Sequence, residues 1–283
     1  MNKRVETANI VSTMEFCLIG SGAVRVNPKR GGPSQIVQIS GERLLVDCGR
    51  NAVHNLFRFG YPVQDINKVF ITHLHFDHVC DLAYLILLSW NNGRRERLQF
   101  FGPKGLEEFL SVGILKAYSR DIESRLGHGK DPFGLEWSVE EIDSDGIFHR
   151  GPDFVLSALC TDHANLLNLN LRIDSGDKRL VITSDTRPDD RMVEFFENAD
   201  LLVSECSGTQ EFLSTVPWGS WHMWPEKIGE ISRRAGVKHV VLKHLVIEDW
   251  SKDPDISEKM AVTVRQRFNG RVTVGYDGLT VIL

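Results

Sequence analysis

Three histidines and one aspartate stand within six residues in His73-Leu74-His75-Phe76-Asp77-His78. Imidazole nitrogen with carboxylate oxygen is a donor set for borderline and hard divalent cations. The spacing lets His73 and His75 reach one ion while Asp77 and His78 reach a second. Packing gives no reason for three of the chain's ten histidines to gather in six positions. Two divalent ions roughly 3.5–4 Å apart activate a water between them and polarise an ester oxygen, which is hydrolytic chemistry.

Such a cluster needs a rigid support. Residues 68–72 (Lys-Val-Phe-Ile-Thr) read as a buried strand and 79–90 as an apolar helix, so the cluster falls where a strand turns into a helix. Further donors belong at other strand ends. His163 follows the strand expected at 154–159, Asp185 the one at 180–183, and His244 the one at 239–242. Each taken singly could be an ordinary turn residue. Together they complete two spheres: His73, His75 and His163 around one ion, Asp77, His78 and His244 around the other, with Asp185 bridging both.

The remaining pattern is a mixed α/β one. Strand-like runs are expected at 16–19, 36–39, 44–46, 69–71, 98–101, 154–159, 167–173, 180–183, 201–204, 239–242, 272–274 and 279–283. Helical runs are expected at 52–59, 81–88, 105–118, 189–197, 225–235 and 256–268, giving a mixed sheet system covered by helices. Pro225 marks a helix start and Gly236 its end. The stretch 119–137, with Gly127, Gly129, Pro132 and Gly134, reads as an irregular loop or lid. No long linker divides the 283 residues, so a single domain over 1–283 is expected.

Composition narrows the partners. Hydrophobic residues make up 42% and charged residues 25%, as in ordinary globular proteins, and the net charge of −5 argues against a surface given over to nucleic acid. The basic run Arg94-Arg95-Glu96-Arg97 reads as a solvated turn. The five cysteines are scattered and form no C-x-x-C pair, as expected of reduced thiols. The first 19 residues show no signal peptide, and no run is long enough to span a bilayer, so a cytoplasmic protein with no membrane partner is expected. A homodimer is the expectation from base rates alone.

The H-x-H-x-D-H motif, followed in order by His163, Asp185 and His244, resembles the metallo-β-lactamase-fold hydrolases over nearly the whole chain. The resemblance implies an α/β (α+β) fold, a four-layer αββα sandwich with a dinuclear site at one edge of two facing sheets. The segments Leu18-Ile19-Gly20-Ser21-Gly22, Arg30, Leu45-Val46-Asp47-Cys48-Gly49, Phe101-Gly102-Pro103-Lys104-Gly105 and Tyr276-Asp277-Gly278 are similar to the ribonuclease Z-like branch. That likeness implies a catalytic set of Asp77, Glu205 and His222. Glu205 ends a strand and orients His222, which lies 22 residues before His244 and protonates a leaving oxygen. Asp47 has either a supporting role beside a ligand histidine or an ordinary turn role.

The chain departs from that branch at Ser184, where Gly is usual, at Met223 and Trp224, where small hydroxyl residues are usual, and at Lys243, where Ser or Thr is usual. The basic arm with which ribonuclease Z clamps tRNA is not discernible. Expected, then, is a hydrolase with two divalent ions, zinc before manganese or iron, that cleaves small or nucleotide-like phosphodiesters through a metal-bridging hydroxide. Rival readings are a lactonase, carboxylic-ester or arylsulfate hydrolase on the same site, a true ribonuclease Z, and a non-enzymatic metal-binding subunit. Trp218, Trp221 and Trp224 recur every three residues around His222, either as packing or as an aromatic wall for the substrate. Phe133 in the expected lid could close over the same mouth. His54, His128, His149 and His239 fall outside every motif.

Overall fold

The structure, a computed structural model, describes residues 13–246 and 255–283. Most of the N-terminal stretch read for a leader lies outside them. Side chains on a strand alternate between its two faces, and nearly every central strand here is apolar on both. Leu18 faces one way and Cys17 and Ile19 the other; Val203 and Leu202 divide likewise. Sheets of this kind must be covered twice, and two of them stack.

The first sheet runs β14-β1-β2-β3-β4-β5-β6, comprising β1 (Glu15–Gly20), β2 (Ser34–Ile39), β3 (Glu42–Val46), β4 (Lys68–Phe70), β5 (Leu98–Pro103), β6 (Trp137–Ile142) and β14 (Leu279–Ile282). The second runs β13-β12-β11-β10-β9-β8-β7, comprising β7 (Gly146–Arg150), β8 (Val155–His163), β9 (Leu166–Ser175), β10 (Lys178–Ile182), β11 (Leu201–Glu205), β12 (His239–Lys243) and β13 (Arg271–Val274). Strands β3 to β6 are parallel, as are β10 to β13, and the other pairings are antiparallel.

Three apolar cores make the layering explicit. Phe16, Leu18, Val46 and Phe70 of the first sheet meet Leu171, Ile182, Val203 and Val241 of the second between the sheets. Helices Ala52–Arg58 and Leu82–Asn91 cover the outside of the first sheet through Leu56, Leu82 and Ile86. Helices Pro225–Ala235 and Ile256–Arg267 cover the outside of the second through Ile228, Met260 and Val264. This is the four-layer αββα sandwich of the metallo-β-lactamase fold.

Several sequence expectations need correction. The stretch 119–137 is not an irregular loop: Ser119–Gly127 is an α-helix and Pro132–Leu135 a 3₁₀ turn capped by the Asp131 side chain. Only Ile122 of that helix is buried, so it has almost no apolar stripe to read. Strands β6 and β7 were missed because they are half-exposed sheet edges with mixed composition. The expected helix at 105–118 is largely π-helical over Phe109–Lys116, and that at 189–197 shrinks to Met192–Phe195. Arg94 is not a solvated turn residue but is buried, 5% exposed, with its N–H bonded to the Ser89 carbonyl. The cysteines are all free, and among the described residues no helix is long and apolar enough to cross a membrane.

Candidate metal centre

Parallel strands aim their carboxyl ends at one edge, and open α/β sheets bind ligands there. The histidine cluster begins at His73, three residues beyond the end of β4. His75 is the extended residue that caps the short helix Phe76–Val79, which carries Asp77 and His78 back over the site. His163 closes β8, Asp185 follows β10, Glu205 closes β11 and His244 follows β12. His244 takes the left-handed conformation at φ 55°, which turns its ring off the strand direction toward the cluster.

All seven candidate ligands converge. Donor atoms of His73, His75 and His163 lie within 4.8 Å of one another, and so do those of Asp77, His78 and His244. Asp185 stands between the two sets: its Oδ2 is 3.0 Å from His244 Nε2, 3.5 Å from His78 Nε2 and 4.0 Å from His163 Nε2.

The supporting bonds decide which ring nitrogen faces inward. His78 Nδ1 lies 2.8 Å from Asp47 Oδ2, and His163 Nδ1 lies 3.2 Å from the Trp221 carbonyl. Neither oxygen has a hydrogen to give, so each Nδ1 donates and each Nε2 is the nitrogen turned toward the cluster. Asp47 also accepts from Thr72 N at 2.8 Å and from Thr72 Oγ1 at 3.0 Å, and the threonine oxygen is 3.0 Å from His73 Nδ1. Asp47, fully buried, thus supports two of the rings rather than merely shaping a turn. Thr72 carries the second link and was missed in the sequence, where it reads as one more β-branched strand residue.

Among the described residues, His78 Nε2, His244 Nε2 and Asp185 Oδ1 are buried without a hydrogen-bond partner. Three orphaned donor atoms aimed at one place would be costly, whereas divalent ions would satisfy them. The electrostatics agree. Burial alone would lower the His78 pKa, but Asp47 and Asp185 hold it up to about 10. His244, likewise desolvated, is held up to about 9 chiefly by Asp185. Asp185 is itself pulled well below the carboxylate range, against its burial, by His244 and His78. His73, farther from carboxylates and crowded by His78, is pushed well down by burial. A field that favours protons on these nitrogens favours other cations equally, so the site suits divalent metals.

On the wall of the cluster, His222 Nδ1 lies 3.1 Å from Glu205 Oε2. The Glu205 Oε1 accepts backbone N–H bonds from Thr186 and Met223. Burial works to lower the His222 pKa, but the Glu205 charge and hydrogen bond outweigh it and the net shift is upward. A cavity of about 260 Å³ opens over the cluster, walled by Val24, Phe76, Trp218, Trp221 and Val246. The Trp218 ring stands edge-on to His222 at 5.3 Å, and the Arg187 guanidinium braces Trp221 from outside at 5.2 Å. Trp224 takes no part in this wall; it caps the helix Pro225–Ala235. Neither Phe133 nor any other residue of 119–137 lines the cavity, nor do His54, His128, His149 or His239.

Comparison with known proteins accords with this geometry. The family described as Anti-Pycsar protein Apyc1 matches residues 14–216. The chain is 28% identical over 277 residues to a ribonuclease Z of Mycobacterium bovis (strain BCG / Pasteur 1173P2), covering 93% of this chain and 96% of that one. Among solved structures it resembles the metallo-β-lactamase-fold protein YhfI from Bacillus subtilis, with TM-score 0.76, 23% identity and coverage of 96% and 100%. It also resembles the short form of human tRNase Z (ELAC1), with TM-score 0.73, 20% identity and coverage of 94% and 98%.

The chain is a ribonuclease Z-like metallo-β-lactamase-fold protein, a metal-dependent hydrolase of ester bonds. Within that class, the chain belongs to the Anti-Pycsar protein Apyc1 family.

Proposed function

We propose that this chain is a dinuclear phosphodiesterase acting on small or nucleotide-like phosphodiesters. His73, His75 and His163 would hold one divalent ion, Asp77, His78 and His244 the other, and Asp185 both, with zinc the expected metal. Bound there, the two ions would supply Lewis acidity toward a water and toward a phosphoryl oxygen.

The observation that carries the reading is the buried Glu205–His222 pair at 3.1 Å on the cavity wall. A carboxylate behind an imidazole keeps the ring protonated and oriented, and a protonated ring can pass its hydrogen to a departing alkoxide. An alkoxide needs that help far more than an activated leaving group does. Trp218, Trp221 and the exposed Phe76 offer flat apolar faces to a ring attached to the phosphate. At about 260 Å³ the cavity falls below the ~300 Å³ at which drug-sized pockets begin, which favours a compact substrate.

The test is a hydrolysis panel on zinc-loaded protein: bis(p-nitrophenyl) phosphate, 3′,5′-cyclic mononucleotides, a phosphonate ester, a sulfate ester, a lactone and a precursor tRNA. Turnover of the small phosphodiesters is expected, with His222→Ala losing the cyclic mononucleotides far more than bis(p-nitrophenyl) phosphate. Preferred turnover of the lactone that survives His222→Ala would replace this reading with a lactonase. Cleavage of the precursor tRNA alone would make the chain a ribonuclease Z like its named relatives.

A further inference from the structure

Donor atoms of Glu205, His222 and His244 also lie within 4.8 Å of one another, as though for a third cation. The group at their centre, however, is a hydroxyl. Ser207 Oγ lies 2.7 Å from Glu205 Oε2, 2.9 Å from His222 Nδ1 and 3.1 Å from His244 Nδ1, and Ser207 is fully buried. The backbone delivers it there: Cys206 N donates to the Lys243 carbonyl at 2.9 Å, extending the β11–β12 pairing one step beyond β11.

Proton counting fixes the hub. A serine hydroxyl has one hydrogen and two lone pairs, and an ionised carboxylate can only accept. The hydrogen of Ser207 therefore goes to Glu205. Both imidazoles must then donate toward the serine oxygen, His222 sharing its hydrogen between Ser207 Oγ and Glu205 Oε2, which places a hydrogen on each Nδ1. His244 thereby turns its Nε2 inward, the atom 3.0 Å from Asp185 Oδ2 and 3.7 Å from Asp77 Oδ2, as the ring nitrogen on which a metal ion can replace a proton. The His222 and His244 rings lie nearly parallel, 18° apart with centroids at 5.9 Å, as two donors to one oxygen can be.

We propose that Ser207 is a positioning residue for both rings. It sets the His244 tautomer that presents Nε2 to a cation, and it holds His222 in register with that cation through a shared oxygen. What the rings do rests on the function proposed above; where their hydrogens sit does not.

The test compares Ser207→Ala and Ser207→Thr with the parent chain. Long-range ¹H–¹⁵N spectra of histidine-labelled, zinc-loaded protein report which ring nitrogen keeps its hydrogen, and chelator competition reports zinc affinity. The parent is expected to show Nδ1–H rings at His222 and His244. Ser207→Ala should lose that pattern at His244 and bind zinc ~10–100-fold more weakly, with kcat falling while KM holds. Ser207→Thr, which keeps the hydroxyl, should restore all three. A folded Ser207→Ala with the parent's tautomers and zinc affinity overturns the proposal, as does a folded Ser207→Thr that restores neither. Should Ser207→Ala not fold, Ser207→Cys takes its place: the weak thiol should give intermediate affinity, and parental affinity overturns the proposal. A parent inert toward every phosphodiester sinks the phosphodiesterase reading and leaves the tautomer and zinc measurements to decide this one.

Discussion

Asp47 Oδ2 and His78 Nδ1 meet at 2.8 Å with both residues wholly buried, and the same carboxylate holds Thr72 at the end of the neighbouring strand. One carboxylate thereby sets the angle of His78 and, through Thr72 Oγ1, of His73. Replacing Asp47 by Ala removes support from a ring on each proposed ion. Zinc affinity should fall ~10–100-fold, as measured by chelator competition, with Asp47→Asn losing less because its amide oxygen still accepts. Unchanged zinc binding in Asp47→Ala would show that the rings are held by packing alone.

Asp185 and His222 should fail in different ways. Asp185 Oδ2 reaches the donor atoms of both sets, so Asp185→Asn should lower the bound metal below two ions per chain by elemental analysis. His222 touches Glu205 and Ser207 instead, so His222→Ala should keep its metals and lose kcat by ~10²–10⁴-fold. The loss should be smaller for p-nitrophenolate, which leaves without a proton. A His222→Ala protein equally impaired on good and poor leaving groups would deny the ring its role as proton donor.

Gly219 opens the 3₁₀ turn that delivers Trp221 and His222, and a Cβ there would stand 1.9 Å from the Leu213 carbonyl oxygen. Backbone cannot yield as a side-chain tip can. Gly219→Ala should displace the turn and reduce kcat/KM at least tenfold, with quenching or shift of the Trp218 and Trp221 fluorescence. Parental kinetics and fluorescence in this variant would mean that the turn repacks freely.

A pH effect independent of the metal centre is expected from His239. Its ring is buried at the start of β12, with Nε2 3.0 Å from Thr273 Oγ1; burial first, then Arg271, pushes its pKa down to about 4. In the unfolded chain the value is about 6.5. Above that pH the ring is neutral in both states and contributes nothing. As pH falls from about 6.5 toward 4, the unfolded chain takes up a proton that the folded chain refuses, and stability is lost. Lowering the pH from 7.5 to 5 should therefore depress the Tm of the parent more than that of His239→Gln. Parallel Tm curves would contradict the assignment.

The sequence made the site more legible than its surroundings. Ligand-type residues at strand ends are few and chemically distinctive, so His73, His75, Asp77, His78, His163, Asp185 and His244 could be gathered before any coordinates. Glu205 and His222 came from a likeness of spacing. Ser207 and Thr72 were missed because small hydroxyl residues are common and take their meaning from three-dimensional neighbours. A hydroxyl two residues beyond Glu205 at the end of a parallel strand was the one available hint. The fold was legible where apolar periodicity was strong, as in β9 and the helix Pro225–Ala235. It was opaque at β6, β7 and Ser119–Gly127, whose exposed faces leave little pattern to read.

The seven converging donors are drawn from both halves of the sandwich. His73, His75, Asp77 and His78 hang from the first sheet, and His163, Asp185 and His244 from the second. Ions shared across that seam would rivet the two layers together, and their binding free energy would be added to the cohesion of the apolar filling between them. Chelation would then do more than silence a reaction: it would unlatch one edge of the protein, and the free metal concentration would set how firmly the molecule stays shut.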